Sequence, residues 1–178
     1  GVLESGSEVA DGVWVGGVGP EFDGPWESRE GVLYSLQKVG TVYTSNSGRP
    51  ELSEEIANYM RRKYGLVYDP KHEISLTVGG SEAIDIAFRA TLNPGDEVVY
   101  PEPGYVSYEP CIRLADGVPV PIELSAETEF RLQPEQLEAA ITPKTKALLI
   151  SYPNNPTGSI MERADLERLV PGILKQDL

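Results

Sequence analysis

The chain has 178 residues, of which 40% are hydrophobic, and its formal net charge at pH 7 is −13. The acidic surface repels phosphate backbones, so we expect no nucleic-acid partner, and no apolar run approaches the roughly 20 residues that span a bilayer, so we expect no membrane association. The chain has one cysteine, Cys111, which excludes an internal disulfide, and one histidine, His72, and these two residues alone cannot form a zinc site. The single cysteine fits a reducing compartment, and the lack of a visible signal peptide also predicts a cytoplasmic location.

The N-terminal third of the chain contains two predicted helices. Residues 1 to about 30 are rich in glycine and carry little periodicity, which predicts an extended arm rather than a core. Residues 27–39 are predicted to form the first helix. Residues 51–66 form a more clearly amphipathic helix, for which Gly65 can provide the C-terminal stop.

From residue 73 onward, short apolar runs alternate with helical segments. This alternation predicts parallel β-α-β units with right-handed crossovers, and therefore a three-layer α/β/α fold with a mostly parallel sheet. Pro119 and Pro121 indicate that one extended stretch is an edge strand or an irregular strand, because proline cannot donate to the ladder. The predicted strands are 73–78, 97–101, 118–124 and 146–151, and the predicted helices are 79–92, 104–115, 133–141 and 162–176.

The last predicted helix should lead into a further strand. A doubly wound sheet of so few strands would have an uncovered edge, which is prone to unwanted pairing. We therefore expect these 178 residues to be part of a longer polypeptide.

The stretch VGGSEA, residues 78–83, is the first candidate site. A predicted strand ends here, Gly79 and Gly80 turn the chain, and a helix begins at about Ser81. The N–H groups of a first helical turn have no internal partners and lie at the positive end of the helix dipole, so they can bind a phosphate, with the Ser81 hydroxyl as a further donor. The alternative is an ordinary turn in which Ser81 serves as the N-cap.

Two more candidate sites follow the next strands. Tyr105 and Tyr108, in PEPGYVSYEP, can present a flat aromatic surface to a ring-shaped ligand, or can be ordinary half-buried tyrosines. Asn154 and Asn155, in SYPNNPTG, carry amides that can donate to a phenolate-like oxygen or a carboxylate, or can belong to a plain turn. The carboxyl ends of parallel strands meet at one edge of a sheet, where a phosphorylated aromatic ring with a polar substituent would fit all three sites.

Four stretches of the chain match a known pattern in their residues, their order and their spacing. They are TSNSG (44–48) with ELSEEIA behind it, TVGGSEAIDIAFRA (77–90), NPGDEVVYPEPGYVSY (93–108) and YPNNPTG (152–158). Together they resemble the fold-type I, pyridoxal-phosphate-dependent aminotransferases of class I and II, similar to the aspartate and aromatic aminotransferases. The resemblance implies pyridoxal 5'-phosphate as the cofactor, an amino acid and a 2-oxo acid as substrates, a role in amino acid metabolism or biosynthesis, and a homodimer with shared active sites.

The resemblance also implies a domain division and a set of cofactor ligands. Residues 1–40 would form an N-terminal arm and part of the small domain, and residues 41–178 would form the N-terminal portion of the cofactor-binding large domain. The cofactor phosphate would be held by the backbone and side chains of Gly80, Ser81 and Glu82. The ring of Tyr105 would stack on the pyridine ring.

The resemblance implies roles for three further residues. Asn155 would donate to the 3-oxygen of the cofactor and help to hold the substrate carboxylate. Tyr43 would reach the phosphate bound in the neighbouring subunit. Gly19, in GVGPEF, would lie near the substrate, although this stretch is one residue shorter than the GxGxPDF-like pattern of the family.

No catalytic residue is assigned in these 178 residues. The family's Schiff-base lysine and the aspartate on the pyridine nitrogen are expected beyond Leu178, and none of the lysines present follows a serine as expected. We therefore expect an aminotransferase whose first 178 residues are inactive alone. Two alternatives remain open: another enzyme on the same scaffold, such as a β-lyase or a cyclopropane-carboxylate synthase, and a catalytically inactive binding module.

Overall fold

The computed structural model describes residues 25–38, 43 and 45–176. The backbone contacts divide the chain into two units, residues 1–46 and residues 47–178. The first unit contains helix α1 (Trp26–Lys38), close to the predicted bounds, and none of its residues is buried. Most of the predicted arm lies outside the described residues, and the domain division at residue 40 stays a prediction.

The second unit begins with the amphipathic helix α2 (Pro50–Tyr64). Pro50 occupies the first turn, where its missing N–H costs no hydrogen bond. Gly65 follows in the left-handed region at φ 71°, and its N–H bonds the carbonyl oxygen of Arg61. The predicted glycine stop is therefore confirmed.

The remaining elements of the second unit alternate between helix and strand. The described residues contain one sheet of three parallel strands in the order β2-β1-β3, so the predicted α/β fold with a parallel sheet is confirmed. The elements are α3 (Gly79–Thr91), β1 (Glu97–Glu102), α4 (Tyr108–Leu114), β2 (Val118–Glu123), a 3-10 turn (Ala126–Thr128), α5 (Pro134–Ala140), β3 (Thr145–Leu148) and α6 (Arg163–Gln176).

The central strand β1 separates two apolar layers, because successive side chains of a strand point to opposite faces. Val98 and Tyr100 pack with residues of α3 and α4, among them Ile112. Val99 packs on the other face with α5 and α6, where Leu137 and Leu169 are almost fully buried. Helices thus cover both faces of the sheet, as the three-layer prediction requires.

Proline limits the sheet on both sides of β1. The N–H of Val118 donates to the carbonyl oxygen of Asp96, just before β1, and the N–H of Leu124 to that of Glu102 at its end. The alternating positions 119 and 121 therefore face away from β1, and prolines there cost no ladder bond. The N–H of Leu149 donates to the carbonyl oxygen of Val99 over 2.9 Å. The next bond of that ladder would need an N–H at residue 101, which Pro101 lacks, so β3 ends at Leu148 and not at the predicted residue 151.

One predicted strand does not form, and one predicted helix begins later than expected. Residues 73–78 form no strand: the side chains of Ile74 and Leu76 alternate as in a strand, but no described strand pairs with their backbone. The helix predicted from residue 104 begins only at Tyr108. Pro110 explains this start, because a proline is accommodated in a first helical turn but would break a helix begun four residues earlier.

Candidate functional site

The N-terminus of α3 opens onto free space. Gly79 has φ +82°, a left-handed conformation that favours glycine, and among the described residues no atom beyond the adjacent backbone lies within 4 Å of a Cβ built on Gly79 or Gly80. The N-cap residue of α3 is Val78, so Ser81 stands inside the first turn and makes no capping bond. The alternative in which Ser81 is the N-cap is therefore wrong, and the Ser81 hydroxyl makes hydrogen bonds other than a cap.

The Ser81 hydroxyl joins the loop that follows β1. Its Oγ lies 2.9 Å from the hydroxyl of Tyr105 and 2.9 Å from the hydroxyl of Ser107. The structure thus brings together two residues that the sequence placed in separate candidate sites. Ser107 was not predicted, because it falls inside the helix predicted from residue 104 and no motif singles it out.

The two tyrosines of this loop have different environments. Tyr108 is buried in the core, with its ring 5.7 Å from that of Tyr105 in an edge-to-face arrangement. Tyr105 is half-buried, and hydrogen bonds with the hydroxyls of Ser81 and then Ser107 lower its pKa. Tyr108 is therefore an ordinary core residue, and Tyr105 is the ring that remains available to a ligand.

The exposed carboxylate of Glu82 is already engaged in a hydrogen bond within the chain. The carboxylate accepts a hydrogen bond from the N–H of Val78, at the positive end of the helix dipole. A second negative group beside it would be repelled. With the side chain in this position, Glu82 can serve an anion only through its backbone N–H.

The two adjacent asparagines also differ. Asn154 is buried: its Nδ2 donates to the carbonyl oxygen of Pro103 over 3.2 Å, and its Oδ1 accepts from the N–H and hydroxyl of Thr157. Asn155 is exposed, and within the described part of the chain its side chain makes no hydrogen bond. The first amide therefore joins this loop to the loop that carries Tyr105, and the second is free to meet a ligand.

Two of the predicted residues cannot be placed relative to this site. Gly19 lies outside the described residues. Tyr43 belongs to the first unit, and its side chain is fully exposed. Their implied roles stay predictions.

The donors around the N-terminus of α3 suit a phosphorylated ring. Free N–H groups of the first turn and the Ser81 hydroxyl can bind a phosphate, and the Tyr105 ring, fixed to Ser81 through its hydroxyl, can face an aromatic plane. The open space before Gly79 and Gly80 allows a close approach. Among the residues that the structure describes, no three His, Cys, Asp or Glu side chains could hold a metal ion.

Comparison with known proteins assigns the family. The family model "Aminotransferase class I and II" matches residues 31–176, so the chain belongs to this family, whose members use pyridoxal phosphate. The aromatic-amino-acid aminotransferase 2 of Thermococcus litoralis is 40% identical over 163 residues, which are 91% of this chain and 42% of that protein. The aspartate aminotransferase of Pyrococcus abyssi is also 40% identical, over 91% of this chain and 42% of its own length.

Solved structures agree with the sequence relatives. The aromatic aminotransferase from Pyrococcus horikoshii superposes with a TM-score of 0.84 at 39% identity, over 89% of this chain and 43% of that one. The aspartate aminotransferase from Thermus thermophilus with maleate gives a TM-score of 0.81 at 41% identity, over 89% and 41%. The chain therefore spans about two fifths of the length of the relatives that it matches. None of the helices in the described ranges is long and apolar enough to cross a membrane.

Proposed function

We propose that this chain supplies the phosphate-binding and ring-binding side of a pyridoxal-phosphate-dependent aminotransferase active site. The substrates would be an amino acid and a 2-oxo acid, and the location cytoplasmic. The hydrogen bond of 2.9 Å between Ser81 and Tyr105 carries the proposal, because it sets an aromatic ring beside a helix N-terminus that can bind an anion. Residues 41–178 would belong to the large domain, and residues 1–40 to the arm and the small domain.

Each residue of the site has a distinct task in this proposal. The N–H groups of Gly80 and Ser81, together with the Ser81 hydroxyl, would bind the phosphate, and the Tyr105 ring would fix the plane of the pyridine. The exposed amide of Asn155 would donate to the ring oxygen and to the substrate carboxylate. The bound cofactor supplies an electron sink for the reaction.

We also propose that the active form is a homodimer in which Tyr43 reaches the site of the neighbouring subunit. The exposure of its ring supports this, since no described residue covers it. The apolar side chains of Val32, Leu33 and Leu36 on α1 are exposed as well. Such residues suit an interface better than a solvated surface.

Ligand binding tests the cofactor site directly. Pyridoxamine 5'-phosphate is the probe, because it lacks the aldehyde that would react with lysines at random, and pyridoxamine is the matched ligand without phosphate. We expect calorimetry on the purified chain to give at least a tenfold preference for the phosphorylated ligand, which corresponds to about 1.4 kcal/mol. Equal affinity for the two ligands, or binding of neither, would refute the proposed site.

The reaction class needs a separate measurement. The protein at its natural length is incubated with a panel of amino acids and a 2-oxo acid acceptor, and the products are identified by mass spectrometry. We expect the acceptor to gain an amino group while the amino acid becomes a 2-oxo acid. Loss of the amino acid without any amination of the acceptor would exclude an aminotransferase and favour a lyase.

A further inference from the structure

Ser107 occupies a place where its hydroxyl would normally stabilise a helix. It precedes α4 directly and stands at the N-cap position. A serine there usually accepts a hydrogen bond from an N–H of the first turn. The Ser107 hydroxyl makes no capping bond, and instead lies 2.9 Å from the Oγ of Ser81, which is 26 positions earlier in the chain.

A second contact from α4 reaches the same residue. The thiol of Cys111 lies 3.8 Å from the carbonyl oxygen of Ser81. Cys111 is buried in the layer between α3 and α4, so it holds the backbone of Ser81 while Ser107 holds its side chain. The start of α4 is thus built against the start of α3.

The Ser81 hydroxyl has a limited number of hydrogen-bonding positions, and Ser107 can occupy one of them. A serine oxygen carries one proton and two lone pairs. The hydroxyl oxygens of Tyr105 and Ser107 each lie 2.9 Å from the Ser81 oxygen, and either partner of each pair can be the donor. When both donate, the two lone pairs are occupied and the Ser81 proton must point elsewhere, toward the open side of the helix N-terminus.

We propose that Ser107 is a positioning residue that directs the Ser81 hydroxyl toward the oxygens of a bound phosphate without touching the phosphate. The inference rests on the proposed function, because it requires a phosphorylated ligand at the N-terminus of α3. When Tyr105 ionises, the hydroxyls of Ser81 and then Ser107 donate to its phenolate instead, which lowers the pKa of Tyr105. Ser107 therefore acts on both groups that would face the ligand.

Binding by three variants tests this role. Ser107→Ala removes the donor, Ser107→Thr keeps it, and Ser125→Ala is the matched control at an exposed serine that makes no capping bond. We expect Ser107→Ala to weaken the binding of pyridoxamine 5'-phosphate about tenfold, the size of one lost hydrogen bond, and to change the binding of pyridoxamine less than about twofold. Ser107→Thr should restore most of the affinity, and Ser125→Ala should change neither ligand.

A second readout needs no ligand. The ultraviolet titration of the tyrosines, taken as the difference from a Tyr105→Phe chain, reports the pKa of Tyr105. We expect Ser107→Ala to raise that pKa toward its ordinary value, and Ser107→Thr to leave it lowered. Ser107→Cys, which keeps the side-chain volume and weakens the donor, takes the place of Ser107→Ala if the alanine variant does not fold.

The outcomes separate the two proposals. If the unchanged chain does not prefer the phosphorylated ligand, the proposed function is wrong and this inference falls with it. If the preference is present but Ser107→Ala retains it in full, only the role of Ser107 is wrong. Equal losses for both ligands would also overturn that role, because they would mean that Ser107 merely supports the loop.

Discussion

Replacement of Asn154 by alanine should lower the free energy of unfolding by about 2–4 kcal/mol. The side chain is only 6% exposed and makes three hydrogen bonds, at 3.2 Å to the Pro103 carbonyl oxygen and at 3.3 and 3.1 Å from the N–H and hydroxyl of Thr157. Each bond contributes about 0.5–1.5 kcal/mol net, and alanine replaces none of them. Urea unfolding of the chain, followed by circular dichroism, measures the loss.

The neighbouring asparagine provides the control. Asn155 is exposed, so Asn155→Ala should change the unfolding free energy by less than about 0.5 kcal/mol, while it weakens ligand binding. Asn154→Asp should also be strongly destabilised near neutral pH, because its buried carboxylate would lie against the Pro103 carbonyl oxygen that now accepts a hydrogen bond. Equal stability of the Asn154→Ala and Asn155→Ala chains would refute the reasoning, since it would mean that burial and bonding at residue 154 contribute nothing.

Two further predictions concern the loop after β1 and the start of α6. A Cβ on Gly104 would lie 2.6 Å from the backbone oxygen of Pro101. Gly104→Ala should therefore lower the free energy of unfolding by about 1–3 kcal/mol and lower the melting temperature, and an unchanged melting temperature would contradict the contact. Hydrogen bonds from the N–H of Glu162 and from the Arg168 side chain lower the pKa of Asp165. The stabilising effect of the Asp165 carboxylate is therefore present above its unfolded pKa of about 3.9 and is lost as the pH falls through the lower folded value. Asp165→Asn should therefore be less stable than the unchanged chain at about pH 6, with a difference that shrinks toward about pH 3 in parallel urea titrations; a difference that grows with acidity would contradict the sign.

The sequence by itself determined the kind of fold and the order of its elements, apart from the strand predicted at 73–78, which does not form. Alternation of apolar runs with helical periods predicts parallel β-α-β units, because each pattern fixes which side chains share a face. Pro119 and Pro121 predicted an edge or an irregular strand, since the missing N–H of proline is a covalent fact that no packing can change, and in the described residues β2 is an outer strand of the order β2-β1-β3. Pro110 by itself indicates a start of α4 just before it, whereas Pro101 limits β3 only because β3 pairs with β1, which the tertiary structure decides.

Only the tertiary structure decided which side chains serve the candidate site. Asn154 and Asn155 are identical in the sequence, but one is buried against another loop and the other is exposed. Ser107 fell inside the helix predicted from residue 104, and only the structure shows it beside Ser81. The physical reason is that local pattern sets the face on which a residue lies, whereas a hydrogen bond between residues 26 positions apart depends on how two helices and a strand pack together.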